Sequence, residues 1–340
     1  MDRFHGVKGF RLYTAIFLLI AVVLVGSSFF LPNAGAQGRS FVDAPAGQGE
    51  ARDDTVGAGD SAGRDVTEAR PSPLPGAAEI QAMASVYSER ITDTAVRNGE
   101  WALMMDGRWY YWADGRLLPI EFVPGAEEFV SIRFYRYRLG PVEPRVIDVE
   151  LEQRLRARTL ARADGGTDTR VRFNNFLDTL YQISSRDEAE RRVRNISFLG
   201  FRTRVHPLLV GPLERVETEL AAIADTDEAV REFIEGLSAV HGYNWRNIAG
   251  TMRRSYHSYG IAVDLIPRSY GGEWPYWLWA AQGGIDEWWN LPLEDRWQIP
   301  QPIIDAFEQN GFIWGGKWLS FDNLHFEYRP ESILMAQDQG

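Results

Sequence analysis

Ser255-Tyr-His257-Ser-Tyr-Gly260-Ile-Ala262-Val-Asp264 and, further along, Asp322-Asn-Leu-His325-Phe-Glu327 are the stretches on which this chain's fold turns. Asp264 sits inside the apolar run Ile261-Ala262-Val263-Asp264-Leu265-Ile266. A carboxylate in a buried strand is costly unless it is paired or binds a metal, so a cation is expected beside it. His257 and His325 could supply two imidazoles, and two histidines with one carboxylate and an open position make the ligand set of a catalytic zinc. Asp322, three residues before His325, is left free to handle protons.

The pattern S-x-H-x-x-G-x-A-x-D names five residue types, and average usage would produce it by chance in fewer than roughly one chain in a thousand. Alone, His257 reads as a satisfied core histidine; in this company it reads as a ligand. Gly260 permits a turn closed to other residues, and Ala262 leaves room for close approach. In Asn323-Leu324-His325-Phe326-Glu327-Tyr328 apolar and polar residues alternate as in a half-buried strand, which puts His325 and Glu327 on one face. Glu327 is therefore either a second partner that orients a ligand or an ordinary surface carboxylate. Asp322 is either the base beside the metal or a turn residue before the strand.

Composition bounds the rest. The 340 residues, 45% hydrophobic, suffice for one large or two modest domains. With no cysteine, disulfides and thiolate metal sites are impossible, so any metal is held by histidine and carboxylate. A net charge of -11 argues against nucleic acid as a partner, which needs clustered Lys and Arg. Arg3, Lys8 and Arg11 precede an apolar run from Ala15 to Leu31 and then Ala34-Gly35-Ala36, so residues 1–36 read as a signal peptide or, uncleaved, a short membrane anchor. Export is the expectation, to the periplasm or cell envelope. Residues 37–78, rich in Gly, Ala, Asp, Ser and Pro, read as a flexible linker.

Folded sequence is expected from near Glu79. Asp106-Gly107 and Asp114-Gly115 separate short aromatic runs in Trp101 to Val123, a β-meander. Phe129 to Leu139 alternates like a strand, and Val149 to Ala163 is helical in composition until Gly165-Gly166. Between Phe173 and Phe198, apolar residues up to Val193 and Ile196 recur at helical spacing. Pro212 opens a helix with Leu213, Val216, Leu220 and Ile223 on one face. Thr226 caps the next, whose stripe is Val230, Phe233, Ile234 and Leu237 and whose C-terminal cap is Gly242. The expected fold class is α+β: a small antiparallel sheet carrying the zinc site, packed with helices, preceded by an α/β extension over residues 79–200 of unknown role, with the metal domain at 201–340.

These segments resemble the zinc D-alanyl-D-alanine carboxypeptidase and L-alanyl-D-glutamate endopeptidase family, over about Phe201 to Pro330. The resemblance implies zinc ligands His257, Asp264 and His325 and a base at Asp322, in the family's acidic-x-x-His motif. It implies that Arg246, in Tyr243-Asn-Trp-Arg246, steadies the reacting carbonyl and that Ser255 contacts substrate. Gly311-Phe-Ile-Trp-Gly-Gly-Lys-Trp318 looks like the endopeptidase branch, with Trp318 expected at the substrate. Trp245 and Leu324 depart from the commoner pattern and bear on the subsite. The implied substrate is a peptidoglycan stem peptide cut between L-Ala and D-Glu, with D-Ala-D-Ala carboxypeptidase as the alternative. No protein partner is indicated. A zinc-retaining wall-binding or signalling module is the reading of another class, and the presence of both Asp322 and Arg246 argues against it, since neither is needed merely to hold a metal.

Eight of the twelve tryptophans lie between Trp274 and Trp318. Core packing is the expectation for most, ahead of a wall for substrate. His206 and His241 are expected to be structural, His241 at a helix C-terminus.

Overall fold

Three turns of one kind build the N-terminal meander. Asn98-Gly99, Asp106-Gly107 and Asp114-Gly115 all have positive φ, 52° and 81° at the first pair and 49° and 76° at the other two. That is the tight hairpin turn that suits strongly twisted strands. The strands they join, β1 (Ile91–Arg97), β2 (Glu100–Met105), β3 (Arg108–Trp112) and β4 (Leu117–Leu118), pair antiparallel in chain order. Helix α1 (Ala77–Val86) precedes them and buries Ile80, Ala82 and Met83. The sequence reading began this meander at Trp101 and so missed β1, although Asn98-Gly99 carries the same signal as the other two turns.

The computed structural model describes residues 74–132, 137–143, 145–163 and 167–338, all within one unit. The expected leader and all but the end of the expected linker lie outside them. Among the described residues no helix is long and apolar enough to cross a membrane. Of the alternating run Phe129 to Leu139, β5 covers only Phe129–Val130; it pairs in parallel with β6 (Val171–Arg172), and residues 133–136 are outside the description. The expected helix over Val149 to Ala163 is α2 (Val149–Ala163); Gly165-Gly166 also lies outside.

Two segments read as helix are strands. After α3 (Asn174–Tyr181) and α4 (Arg186–Arg192), Ile196 falls in β7 (Arg194–Phe198), which turns through Leu199 and Gly200 into β8 (Phe201–Val205). After α5 (Val210–Ala224), helix α6 (Glu228–Glu235) is capped by Asp227, whose Oδ1 accepts from Val230 N at 3.1 Å, not by Thr226. It stops at Gly236. Leu237 therefore leaves the helical stripe and opens β9 (Leu237–His241), and His241 ends a strand rather than a helix. Leu237 and Val240 are buried there, and pairing with the neighbouring strand outweighs local helical spacing.

β9 is the edge of the sheet that carries the metal motif. It pairs with β10 (Ala262–Pro267), and after α7 (Trp277–Gln282) and α8 (Gln301–Gln309) the chain adds β11 (Phe312–Trp314) and β12 (His325–Tyr328), giving the antiparallel order β11-β12-β10-β9. α9 (Pro330–Gln337) follows. The two-residue period of a strand decides what faces where. Val263, Leu265 and Phe326 join the core with Leu213, Val216, Ile303 and Phe307, and the rings of Phe307 and Phe326 stack at 3.9 Å. The alternate residues Asp264 and His325, directly paired across β10 and β12, share the other face. Five of the eight clustered tryptophans, Trp277, Trp288, Trp289, Trp297 and Trp314, are buried, while Trp274, Trp279 and Trp318 are half-buried.

Candidate metal centre

The ligands are aimed by a short 3₁₀ turn, Tyr256–Tyr259, and by β10 and β12. Ser255 starts the turn, its hydroxyl accepting from His257 N at 3.3 Å. Gly260 ends it with φ 68°; a Cβ there would lie 2.8 Å from His206 N, which donates to Gly260 O at 2.8 Å. Only glycine meets both the left-handed backbone and that close approach. The turn delivers a fully buried His257 against Asp264.

His257 Nε2 lies 3.1 Å from Asp264 Oδ1 and 3.2 Å from His325 Nδ1, and His325 Nδ1 lies 2.8 Å from Asp264 Oδ1. Each imidazole has a second partner that fixes its tautomer. His257 Nδ1 is 2.6 Å from Gly242 O, a carbonyl that can only accept, so Nδ1 holds the proton and the Nε2 lone pair points inward. His325 Nε2 is 3.3 Å from Glu327 Oε1, which likewise leaves Nδ1 facing Asp264. Once a metal replaces the proton shared with Asp264, two lone pairs and a carboxylate oxygen thus converge on one point. Zinc bonds of about 2.0–2.2 Å in a tetrahedron separate neighbouring ligand atoms by about 3.3–3.6 Å, so the sides of this triangle need to open by about 0.1 to 0.8 Å, the His325–Asp264 side most. The residues fit zinc by donor type, number and orientation.

Electrostatics agree. Burial works to raise the Asp264 pKa, but the charges and hydrogen bonds of His257 and His325 override it and hold the carboxyl well below its usual range. Burial opposes charge on His325 too, yet its hydrogen bonds to Asp264 and Glu327 push it up to about 10. The cluster therefore demands positive charge at its centre, from a proton or from a metal cation.

The other expected site residues fall as follows. Asp322 is half-buried beside the ligands, with burial first and Asp264 second pushing its pKa up to about 7 against the opposing charges of His325 and Arg246. Arg246 is exposed, and its guanidinium makes no hydrogen bond or ion pair among the described residues. Ser255, expected at the substrate, is buried at the start of the His257 turn, where its hydroxyl accepts from His257 N. The Trp318 ring lies 5.4 Å from the His325 ring. Glu327 is 6% exposed, so it is no surface carboxylate, and the polar face expected of β12 is buried. His206 is structural: burial lowers its pKa to about 4, Nδ1 accepts from Leu208 N and Nε2 reaches Tyr181 O. His241 is exposed, opposite Asp264 in the register.

Tyr270 was not singled out from sequence. Burial, then the charges of Asp264 and Asp322, push its phenol up to about 12, which marks it as a neighbour of both carboxylates. Gly315 packs against the backbone that carries Asp322. A Cβ there would lie 2.6 Å from Asp322 O and 3.3 Å from Asp322 Cβ, while Asp322 N donates to Gly315 O at 3.0 Å. Gly315→Ala is therefore expected to displace Asp322; if Asp322 is the base that the resemblance implies, turnover should fall about tenfold or more with zinc content unchanged, since misplacing a reacting group by an ångström costs on this scale. Turnover and metal content of one preparation check it.

Residues 249–328 match the family model described as D-alanyl-D-alanine carboxypeptidase, and residues 79–134 match one described as a domain of unknown function. No curated protein and no solved structure matches the chain. The first match spans the His257 turn, Asp264 and the Asp322-to-His325 segment, the same residues whose lone pairs converge. Motif geometry and family match together support a zinc-type metallopeptidase similar to the D-alanyl-D-alanine carboxypeptidase family over residues 249–328.

Proposed function

We propose that the chain is an exported zinc peptidase that hydrolyses peptidoglycan stem peptides, cutting between L-Ala and D-Glu. The convergence of two imidazole lone pairs and one carboxylate beside Asp322, which is not needed as a ligand, carries this reading. His257 Nε2, Asp264 and His325 Nδ1 would hold the zinc, which would supply a water with its pKa lowered toward about 7 and a Lewis acid for the carbonyl. Asp322 accepts the proton of the attacking water as the oxygen of that water bonds to the peptide carbon. It returns the proton to the nitrogen as the C–N bond breaks. Arg246, with its guanidinium unengaged and its charge felt at Asp322, would stabilise the charge that develops on the carbonyl oxygen, and the half-buried Trp318 borders the site beside His325.

The Asp base and the Gly-Gly-Lys-Trp318 segment favour the endopeptidase; the printed description of the matching family favours D-Ala-D-Ala carboxypeptidase. Purified muropeptides incubated with the protein and analysed by mass spectrometry distinguish them. Cleavage between L-Ala and D-Glu is expected. Free D-Ala with that bond intact would establish the carboxypeptidase, and no product from any muropeptide would favour a wall-binding module. Arg246→Ala should keep its zinc and lose roughly 10² to 10³ in kcat, the usual cost of one oxyanion stabiliser; unchanged kcat would remove Arg246 from the mechanism.

A further inference from the structure

A buried chain of charged and polar groups leads from the metal centre into the N-terminal module. His325 Nε2 meets Glu327 Oε1 at 3.3 Å, and Glu327 Oε2 lies 3.7 Å from Arg329 Nη1. Arg329 Nε donates to Glu331 Oε1, and Tyr87 OH donates to the other oxygen, Oε2, at 3.2 Å. All of these side chains are buried, most deeply away from the metal centre: His325 is 8% exposed and Glu327 6%, against 3% for Arg329, 2% for Glu331 and 4% for Tyr87. A branch runs from Arg329 Nη1 to Tyr256 OH and on to Ile132 O, each at 3.5 Å. Tyr87 caps α1 and Ile132 follows the meander, so both branches of the network end in the stretch that matches the domain of unknown function.

The chemistry makes this closure consequential. One guanidinium serves two buried carboxylates, and a buried carboxylate short of donors draws more strongly on its cation. Without the Tyr87 hydroxyl, Glu331 competes harder for Arg329, and Glu327 loses part of what holds it against His325. Partners one step beyond a ligand set its orientation and the affinity for metal.

The geometry points to Tyr87 as a positioning residue for His325: the N-terminal module completes the metal site through Glu331, Arg329 and Glu327. This rests on His325 being a zinc ligand. The test is a cycle of zinc dissociation constants, measured on the full chain against a chromophoric chelator, for the unaltered protein, Tyr87→Phe, Glu327→Gln and the pair. Glu331→Gln, which keeps its shape, runs in a parallel cycle in case Tyr87→Phe is poorly folded. Glu327→Gln is expected to weaken zinc by about 10- to 100-fold and Tyr87→Phe by about 3- to 10-fold, being further removed. In the Glu327→Gln background Tyr87→Phe should then change nothing more. A merely structural tyrosine would lower thermal stability and leave zinc affinity unchanged, or act additively with Glu327→Gln; either result overturns the inference while leaving the proposed peptidase intact. Absence of zinc binding by the unaltered protein would overturn both.

Discussion

Alanine at His257, Asp264 or His325 should leave the protein without stoichiometric zinc and without hydrolysis. Each contributes one of three converging donor atoms, and no other group of three metal-binding side chains occurs among the described residues. Two remaining ligands cannot hold the metal at the concentrations that saturate three. Because a metal that binds only the folded state stabilises it by mass action, saturating zinc at about 1,000 times its dissociation constant should add about 4 kcal/mol to the unaltered protein. Its thermal midpoint should rise with zinc, and those of the three variants should not. Metal analysis after dialysis and thermal melts with and without zinc measure both effects; full occupancy in all three variants would refute the ligand set.

Asp322→Ala should behave in the opposite way, keeping near-normal zinc while losing on the order of 10² to 10⁴ in rate, the usual contribution of positioned proton transfer. Its pH dependence follows from the same residue. A base works only when ionised, and burial together with Asp264 raises the Asp322 pKa to about 7. A bound dication would draw it down, since nearby positive charge favours the carboxylate. Activity should therefore fall as pH drops through a midpoint at or below about 7, with zinc occupancy checked at each pH. The Asp322→Ala residual rate should lack that limb. Full activity in zinc-loaded Asp322→Ala protein would move the proton route elsewhere, with Glu327 the first candidate, although its contacts with His325 and Arg329 already occupy it.

The metal motif was legible in the chain because its chemistry is local. Asp264 in an apolar run cannot be explained without a cation, and strand alternation alone places it and His325 on one face, as the register of β10 and β12 has them. The two Asp-Gly turns that were read carried the meander for a similarly local reason, since the backbone they adopt is one few other residue pairs tolerate. Helix and strand were confused at Ile196 and at Leu237 to His241, where the apolar runs are too short for their spacing to distinguish the two. There the partner strand decided, β8 for the first and β10 for the second.

Only tertiary structure decided which nitrogen of each histidine faces the metal point, because Gly242 O reaches His257 from outside the motif and burial holds Glu327, within it, against His325 Nε2. It turned Ser255 into the cap of the His257 turn, buried Glu327, brought Tyr270 near Asp264 and Asp322, and set Tyr87 against Glu331. Residue types and their spacing determined what could bind and which face would carry it. Long-range packing determined how those groups point and which are dry, because orientation and desolvation belong to contacts between segments far apart in the chain.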